Sequence, residues 1–330
     1  MGVDVGTYSS KGVLVGVDGH IVAQESRPHD LSMPQPGRAE HDADHVWWDD
    51  FSAISAALIH QSGVSPADIA GVGTSGIAPC VLPLSETGSP LRPAILYGID
   101  TRATDEISEL SEKLGKDWIV EHNGSDLSAQ SAGPKVLWIK RHEPEVWRQT
   151  RYFVTSTSYL VYRLTGRLAM DHYTAAFYGP LYDLGEQSWS ETGCAPVCRR
   201  DTLPSLHWTS EVAGYVTADA AERTGLAEGT PVVTGTADAA AEAVTAGVMH
   251  PNDTMLMFGS SLFIIRVFDE RPSGGVFWSA PFLFPGTHAL AGGMSTTGAI
   301  TQWFRSEFGH QEVVAEEQGG PNAYEALAEG

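Results

Sequence analysis

The sequence predicts an α/β fold of two domains that face each other across a cleft. Three observations carry this. With 330 residues the chain exceeds what one ordinary core encloses. Apolar strand-like runs alternate with amphipathic helical runs along most of its length. The same short form also occurs twice, as "DVGTYSSKGVLV" from Asp4 to Val15 and as "TMLMFGSSLFIIRVF" from Thr254 to Phe268. Each is an apolar strand, a turn of Gly and small hydroxyl residues, and a second apolar strand. A loose internal repeat of this kind points to duplicated domains whose turns face one another. Pro, Asn and Asp cluster in "MHPNDTM", which sets the domains at 1–250 and 251–330, the second incomplete.

The elements follow in order. The opening reads as a hairpin, since Val13, Val15 and Val17 alternate with smaller residues; "DGH" turns and "IVAQES" gives a further strand. Residues 33–45 are polar with Pro and Gly and read as a loop. Val46, Trp47, Phe51, Ile54, Leu58 and Ile59 recur at helical spacing, and Gly63 stops that helix. "DIAGVGTSG" reads as a buried strand entering a turn, "APCVLPLS" and "SETGSPLRPAILY" as strands, and "DTRATDEISELSEKLG" as a second helix. "GPKVLWIKRHEPEVWRQT" reads as one helix with Pro near its first turn. "YFVTSTSYLVYRLTG" runs strand into helix, and residues 171–200 read as an aromatic loop. "PVVTGTADAAAEAVTAGV" is a strand, a short turn and an Ala-rich helix. "HALAGGMSTTGAITQWFRSEFG" is a strand, a turn and a helix whose N-terminus suits an anion.

A net charge of −21 disfavours nucleic acid and anionic membrane as partners. No apolar run is long enough to span a bilayer. Three cysteines, an odd and sparse count, fit a reducing cytosol, so a cytoplasmic protein is expected. Cys194 and Cys198 are four apart with no second pair in zinc spacing, so a metal site there is not expected.

Three stretches carry chemistry. In "DVGTYSSKG" the turn amides, the hydroxyls of Thr7 and Ser9 and the ammonium of Lys11 can converge on a phosphate, while Asp4 holds Mg²⁺ through water. The same residues also suit an ordinary turn with a solvated Lys. The Walker A spacing is absent. Asp238 sits where an apolar strand breaks into a helix. It can be an N-cap, or it can accept a proton from a substrate hydroxyl during phosphoryl transfer. Asp100 and Arg102, two apart at a strand end, form either a surface ion pair or a pair of substrate ligands.

Taken in order, "DVGTYSSKG", "YGIDTRA", "KVLWIKRH", "TADAAAEA", "MFGSSLF" and "TGAITQWF" resemble the FGGY carbohydrate kinases across essentially the whole chain. The resemblance implies an actin-like (ribonuclease-H-like) fold and ATP-dependent phosphorylation of a sugar or polyol. It makes Asp238 the catalytic base and Asp4 the Mg²⁺-associated carboxylate. It puts Thr7, Ser9 and Lys11 at the first phosphate turn and Gly259 and Ser260 at the second. Gly298 and Gln302 fall at nucleotide contacts. Ala78, Pro79, Asp100, Gln130 and Asp238 fall in the sugar pocket. A small-molecule substrate is implied, with a homodimer left open.

Two departures qualify the resemblance. Where xylulokinases resemble "SGQMHG", this chain reads Ser75-Gly76-Ile77-Ala78-Pro79-Cys80, so the positions that read the sugar through Gln and His are apolar. The chain is also shorter than its family, and "AYEALAEG" ends within a helical pattern. The expectation is a fragment or a truncated natural protein that lacks the adenosine side of the cleft, with a catalytically impaired sugar- or nucleotide-binding protein as the alternative. Such a chain should bind ATP weakly, discriminate little between ATP and GTP, and expose Phe304 and Phe308.

Overall fold

The computed structural model describes residues 1–259, 261–273, 276–294 and 296–329. Its first sheet has five strands. The chain opens as a meander of β1 (Gly2–Val5), β2 (Ser9–Val15) and β3 (Ile21–Pro28). To this are added β4 (Gly73–Gly76) and β5 (Thr236–Ala237). The spatial order is β5-β4-β1-β2-β3, with β1, β4 and β5 parallel and the meander antiparallel.

Helix α1 (Asp49–Ser62) packs on β2 and β3 and ends at Gly63, whose φ of 65° allows the left-handed cap. The contact needs Gly12: a Cβ there would lie 2.2 Å from the Ile54 side chain. Trp47, Phe51, Ile54 and Leu58, all fully buried, fill this interface beneath Val3 and Val5. The helix signal begins earlier than α1, because residues 43–48 form a wider turn entering it.

The second sheet is wholly antiparallel. Its strands β6 (Thr254–Phe258), β7 (Leu262–Phe268), β8 (Trp278–Pro281) and β9 (His288–Met294) lie in the order β6-β7-β9-β8. Helix α6 (Gly298–Phe308) follows β9; between α1 and it come α2 (Thr104–Leu114), α3 (Ala132–His142), α4 (Pro144–Gln149) and α5 (Asp238–Thr245). The two small-residue turns therefore belong to different sheets, as the repeat predicts. Phe304 and Phe308 are exposed, together with Ile300 and Trp303 on the same helix.

Two elements differ from the sequence reading. The helix expected through "GPKVLWIKRHEPEVWRQT" is two helices, Ala132–His142 and Pro144–Gln149. Pro144 supplies no N–H and drives Glu143 out of helical geometry (φ −130°, ψ 62°), so the first helix ends there. The aromatic stretch 171–200 is no surface loop. Tyr173, Tyr178 and Tyr182 are fully or almost fully buried and join the core that also takes Ile265 and Val267 from the second sheet and Phe282 just after β8. Tyr173 meets Phe282 edge-on at 6.1 Å, and Phe177 meets Trp278 likewise at 6.1 Å, so one continuous apolar core spans residues on both sides of 250.

Candidate active site

The parallel strands deliver their carboxyl ends to one place, where open α/β sheets characteristically bind ligands. Asp4 on β1 lies beside Ser75 on β4, and Ala237 on β5 lies beside Gly76. Gly235, at φ 73°, lets β5 come this close, since a Cβ there would lie 2.1 Å from the Thr74 carbonyl oxygen. The chain then turns directly into helix α5 (Asp238–Thr245), with Asp238 as its first residue.

A cavity of about 540 Å³ opens in front of Asp238. Ala78, Pro79, Tyr97, Gly98, Gln130 and Asp238 form one side. Met257, Ser261, Phe263, Trp278 and Met294, from the second sheet and its turn, form the other. The walls are thus largely apolar, with few convergent polar groups, the usual make-up of a small-molecule site.

The Asp238 carboxylate accepts a hydrogen bond from the Ala239 N–H at 2.8 Å. Burial pushes its pKa up to about 7, and the charge of Asp4 and then of Glu242 add to the rise. Asp4 is itself raised, first by burial, against the opposing effects of the Ser75 hydroxyl at 2.8 Å and of Lys11. Glu242, one turn along α5, is raised by burial and by Asp4, with Lys11 opposing. Three carboxylates therefore feel one another, and Asp4 and Glu242 also feel the charge of Lys11. Lys11 is exposed and has no carboxylate partner among the described residues.

The first turn meets this site through Thr7, whose Oγ1 lies 3.0 Å from the Tyr97 hydroxyl. Ser9 closes the turn by accepting the Gly6 N–H at 3.0 Å. On the far side the Gly298 N–H donates to the Gly259 carbonyl at 2.9 Å, tying the second turn to the start of α6; Gln302 lies exposed one turn further on. Ser260 lies outside the described residues. For Mg²⁺ the donor set fits: carboxylate oxygens are present, with Asp4 Oδ2 not engaged by Ser75. Among the described residues no three His, Cys, Asp or Glu side chains form a closed cage. That suits an ion that keeps most of its water.

Ala78, Pro79 and Gln130 line the cavity. Gln130 is oriented, because its Oε1 accepts the Gly98 N–H at 3.0 Å, leaving the Nε2 donors for a ligand. Asp100 is a correction. It is neither a surface pair nor a cavity residue: it is fully buried, and its carboxylate is taken up by the Ala39 N–H at 2.7 Å and by a two-pronged contact from Arg102 at 2.7 and 2.9 Å. Glu40 accepts a further bond from Arg102 at 2.8 Å. This buried cluster holds the segment that carries Tyr97 to Ile99.

Sequence reasoning missed four contributors. Lys135, almost wholly buried, donates to the carbonyls of Leu96, Tyr97 and Ala129 at 2.6, 2.8 and 2.7 Å, clamping both loops that bring Tyr97 and Gln130 to the cavity. Burial pushes its ammonium down to about 8. Glu242 was visible as the i+4 partner of Asp238. Tyr97 carried no local signal. Asp171 accepts from Thr236 Oγ1 at 2.7 Å and so fastens β5, while its other oxygen has no partner among the described residues.

Burial raises Asp171 to about 6. Because the folded value lies above the unfolded one, its contribution to stability is fully present below pH 4 and is lost as pH rises through 6. The wild type should therefore lose about 3 kcal/mol relative to Asp171→Asn between pH 3.5 and pH 7. Urea unfolding at the two pH values measures this; a constant difference contradicts it.

A sequence model described as "FGGY family of carbohydrate kinases, N-terminal domain" matches residues 1–245. The chain belongs to the FGGY carbohydrate kinase family. It is 30% identical to the xylulose kinase of Bacillus subtilis, over 82% of this chain and 54% of that one. It is 28% identical to the autoinducer-2 kinase of Escherichia coli K12, over the whole of this chain and 63% of that one. The crystal structure of xylulose kinase from Rhodospirillum rubrum superposes with a TM-score of 0.88 at 33% identity, covering 96% of this chain and 66% of that one. Gluconate kinase from Lactobacillus acidophilus, at 22% identity and a TM-score of 0.83, shares the fold. The two sheets are thus those of the actin-like FGGY fold. The chain spans about half the length of the Bacillus subtilis xylulose kinase.

Proposed function

We propose that this FGGY chain transfers the terminal phosphoryl group of ATP to a hydroxyl of a small sugar or polyol, with Asp238 as general base. The reading includes the division at residues 250 and 251, with the donor held between the two turns. The observation that carries it is Asp238 itself: a carboxylate at a strand end, facing a cavity, with burial and two neighbouring acids lifting its pKa to about 7. A base poised there accepts a proton efficiently at neutral pH.

Phosphoryl transfer needs an aligned nucleophile, a base and cations that spread the phosphate charge. Gln130 Nε2 and the Tyr97 hydroxyl orient the acceptor. Asp238 takes the hydroxyl proton onto its carboxylate. Thr7, Ser9, Lys11 and the amides of the first turn hold the phosphates, with Gly259, Ser260 and the start of α6 opposite. Mg²⁺, held through Asp4, supplies charge neutralisation at the phosphates when bound. Pro79, Phe177 and Trp278 exclude water, which favours transfer over hydrolysis.

A coupled ADP-release screen over ketoses, pentoses, polyols and aldonates tests the reading. Acceptor-dependent ADP release supports it. Sugar binding with no phosphate transfer contradicts it and favours a binding protein of the same fold. In the same assay Gln130→Ala should raise the acceptor KM about 2- to 15-fold with kcat nearly unchanged, since a neutral hydrogen bond equal in ground and transition states is lost. A fall in kcat alone contradicts that role.

A further inference from the structure

Two histidines that the catalytic reading does not use stand directly behind the first turn. His29 follows β3, and His41 lies in the segment before α1; both side chains are buried. Their rings meet edge-on, 5.1 Å between centroids. His29 Nε2 lies 3.1 Å from the Gly6 carbonyl oxygen, and His41 Nε2 lies 3.1 Å from the Thr7 carbonyl oxygen. The Tyr8 carbonyl accepts the His29 backbone N–H at 2.9 Å. Three successive carbonyls of the turn are therefore held from one side.

The ring nitrogens are constrained by their other partners. The Trp47 indole N–H, which can only donate, reaches His41 Nδ1 at 3.1 Å. His41 Nδ1 is thus an acceptor, so Nε2 carries the proton and donates to Thr7. Burial first, and then the neighbouring His29, push the His41 pKa down to about 4, which agrees with a neutral ring. His29 faces an oxygen at each nitrogen: Gly6 at Nε2 and Asp50 Oδ2 at Nδ1, 2.9 Å away. It satisfies both only when both nitrogens carry protons. Asp50 also accepts from Ser10 Oγ at 2.8 Å and Arg27 Nε at 3.1 Å.

A trans peptide is planar, so its N–H points opposite to its C=O. With the Gly6 and Thr7 carbonyls drawn to the imidazoles, the N–H groups of Thr7 and Tyr8 point away from them. Neither amide has a partner among the described residues. We propose that His29 and His41 are positioning residues: as a two-imidazole brace, they fix the two peptide planes of the first turn and so aim the Thr7 and Tyr8 amides at the phosphates of the donor nucleotide. The proposal rests on the kinase reading for the identity of that anion. The brace itself rests on the turn alone.

The test uses the full 330-residue chain and its His29→Leu, His41→Leu and His41→Gln variants. Gln retains a donor for Thr7 and an acceptor for Trp47; Leu retains neither. In calorimetry, MgATP affinity should fall about 10- to 100-fold in both Leu variants and stay within about threefold of wild type in His41→Gln. Adenosine, which carries no phosphate, should bind all four proteins equally weakly. Leu variants that keep wild-type MgATP affinity, or that lose adenosine and MgATP equally, overturn the proposal.

If the wild type binds no MgATP, the kinase reading is what fails, and amide resonances decide the brace. Shifts centred on Thr7 and Tyr8 in the Leu variants, absent from His41→Gln, support it; unchanged resonances overturn it. Should the Leu variants not fold, imidazole nitrogen shifts of the wild type serve instead. His41 protonated at Nε2 alone supports the brace, and His41 protonated at Nδ1 overturns it.

Discussion

Replacing Asp238 with Asn or Ala lowers turnover about 10²- to 10⁴-fold, the usual cost of removing a positioned base. The loss falls on kcat, because the carboxylate acts on a proton that moves only as the hydroxyl attacks. Asn preserves size and can still accept the Ala239 N–H, so the fold is retained and the acceptor still binds. The pH profile adds a second readout. Asp238 must be ionised to act, and its pKa is pushed up to about 7, so the rate falls as pH drops below neutrality. Glu242 is one of the charges that raise it. Glu242→Gln therefore moves the acid limb to lower pH. Asp238→Asn with near-wild-type kcat, or an acid limb that Glu242→Gln leaves in place or moves upward, removes Asp238 from the role of base.

Replacing Arg102 with Met destabilises the protein by about 3–5 kcal/mol, because it strips the partner from a buried carboxylate. Arg102 and Asp100 are 1% and 0% exposed at their side chains, so water cannot take over. Arg102 also lies over the Trp138 ring at 4.9 Å and loses that contact. The double variant Asp100→Leu/Arg102→Met removes both charges together and should recover much of the loss. It also tests the corrected role of Asp100. If Asp100 supports the loop rather than the substrate, the double variant, once folded, keeps acceptor affinity within a few-fold. A folded double variant that no longer binds any acceptor, with Tyr97 and Gln130 undisturbed, returns Asp100 to the pocket.

Asp4 and Asp238 could be read from the sequence because each interrupts an apolar run, and a carboxylate in that setting has few reasons to be there. The two turns could be read because Gly and small hydroxyls recur between strands. Asp100 and Arg102 misled because spacing shows an ion pair but not its burial, which is set by Ala39, Glu40 and Trp138 from distant segments. The stretch 171–200 looked like a loop because its elements are two to five residues long, too short for a periodicity. Tyr173 packs on Phe282 next to the second sheet, and Tyr178 and Tyr182 pack on Trp189, contacts that no local pattern reveals. The His29 and His41 pair is tertiary in the same sense: two turn carbonyls, one indole and one carboxylate meet only after β1, β3 and α1 have packed.

The most direct measurement is transfer of label from [γ-³²P]ATP, in the presence of Mg²⁺, to a panel of ketoses, pentoses, polyols and aldonates by the wild-type chain, beside Asp238→Asn. The account predicts that at least one acceptor becomes labelled in step with ADP release, and that Asp238→Asn slows the labelling about 10²- to 10⁴-fold while still binding that acceptor. Label released only as inorganic phosphate, or labelling that Asp238→Asn leaves intact, contradicts it.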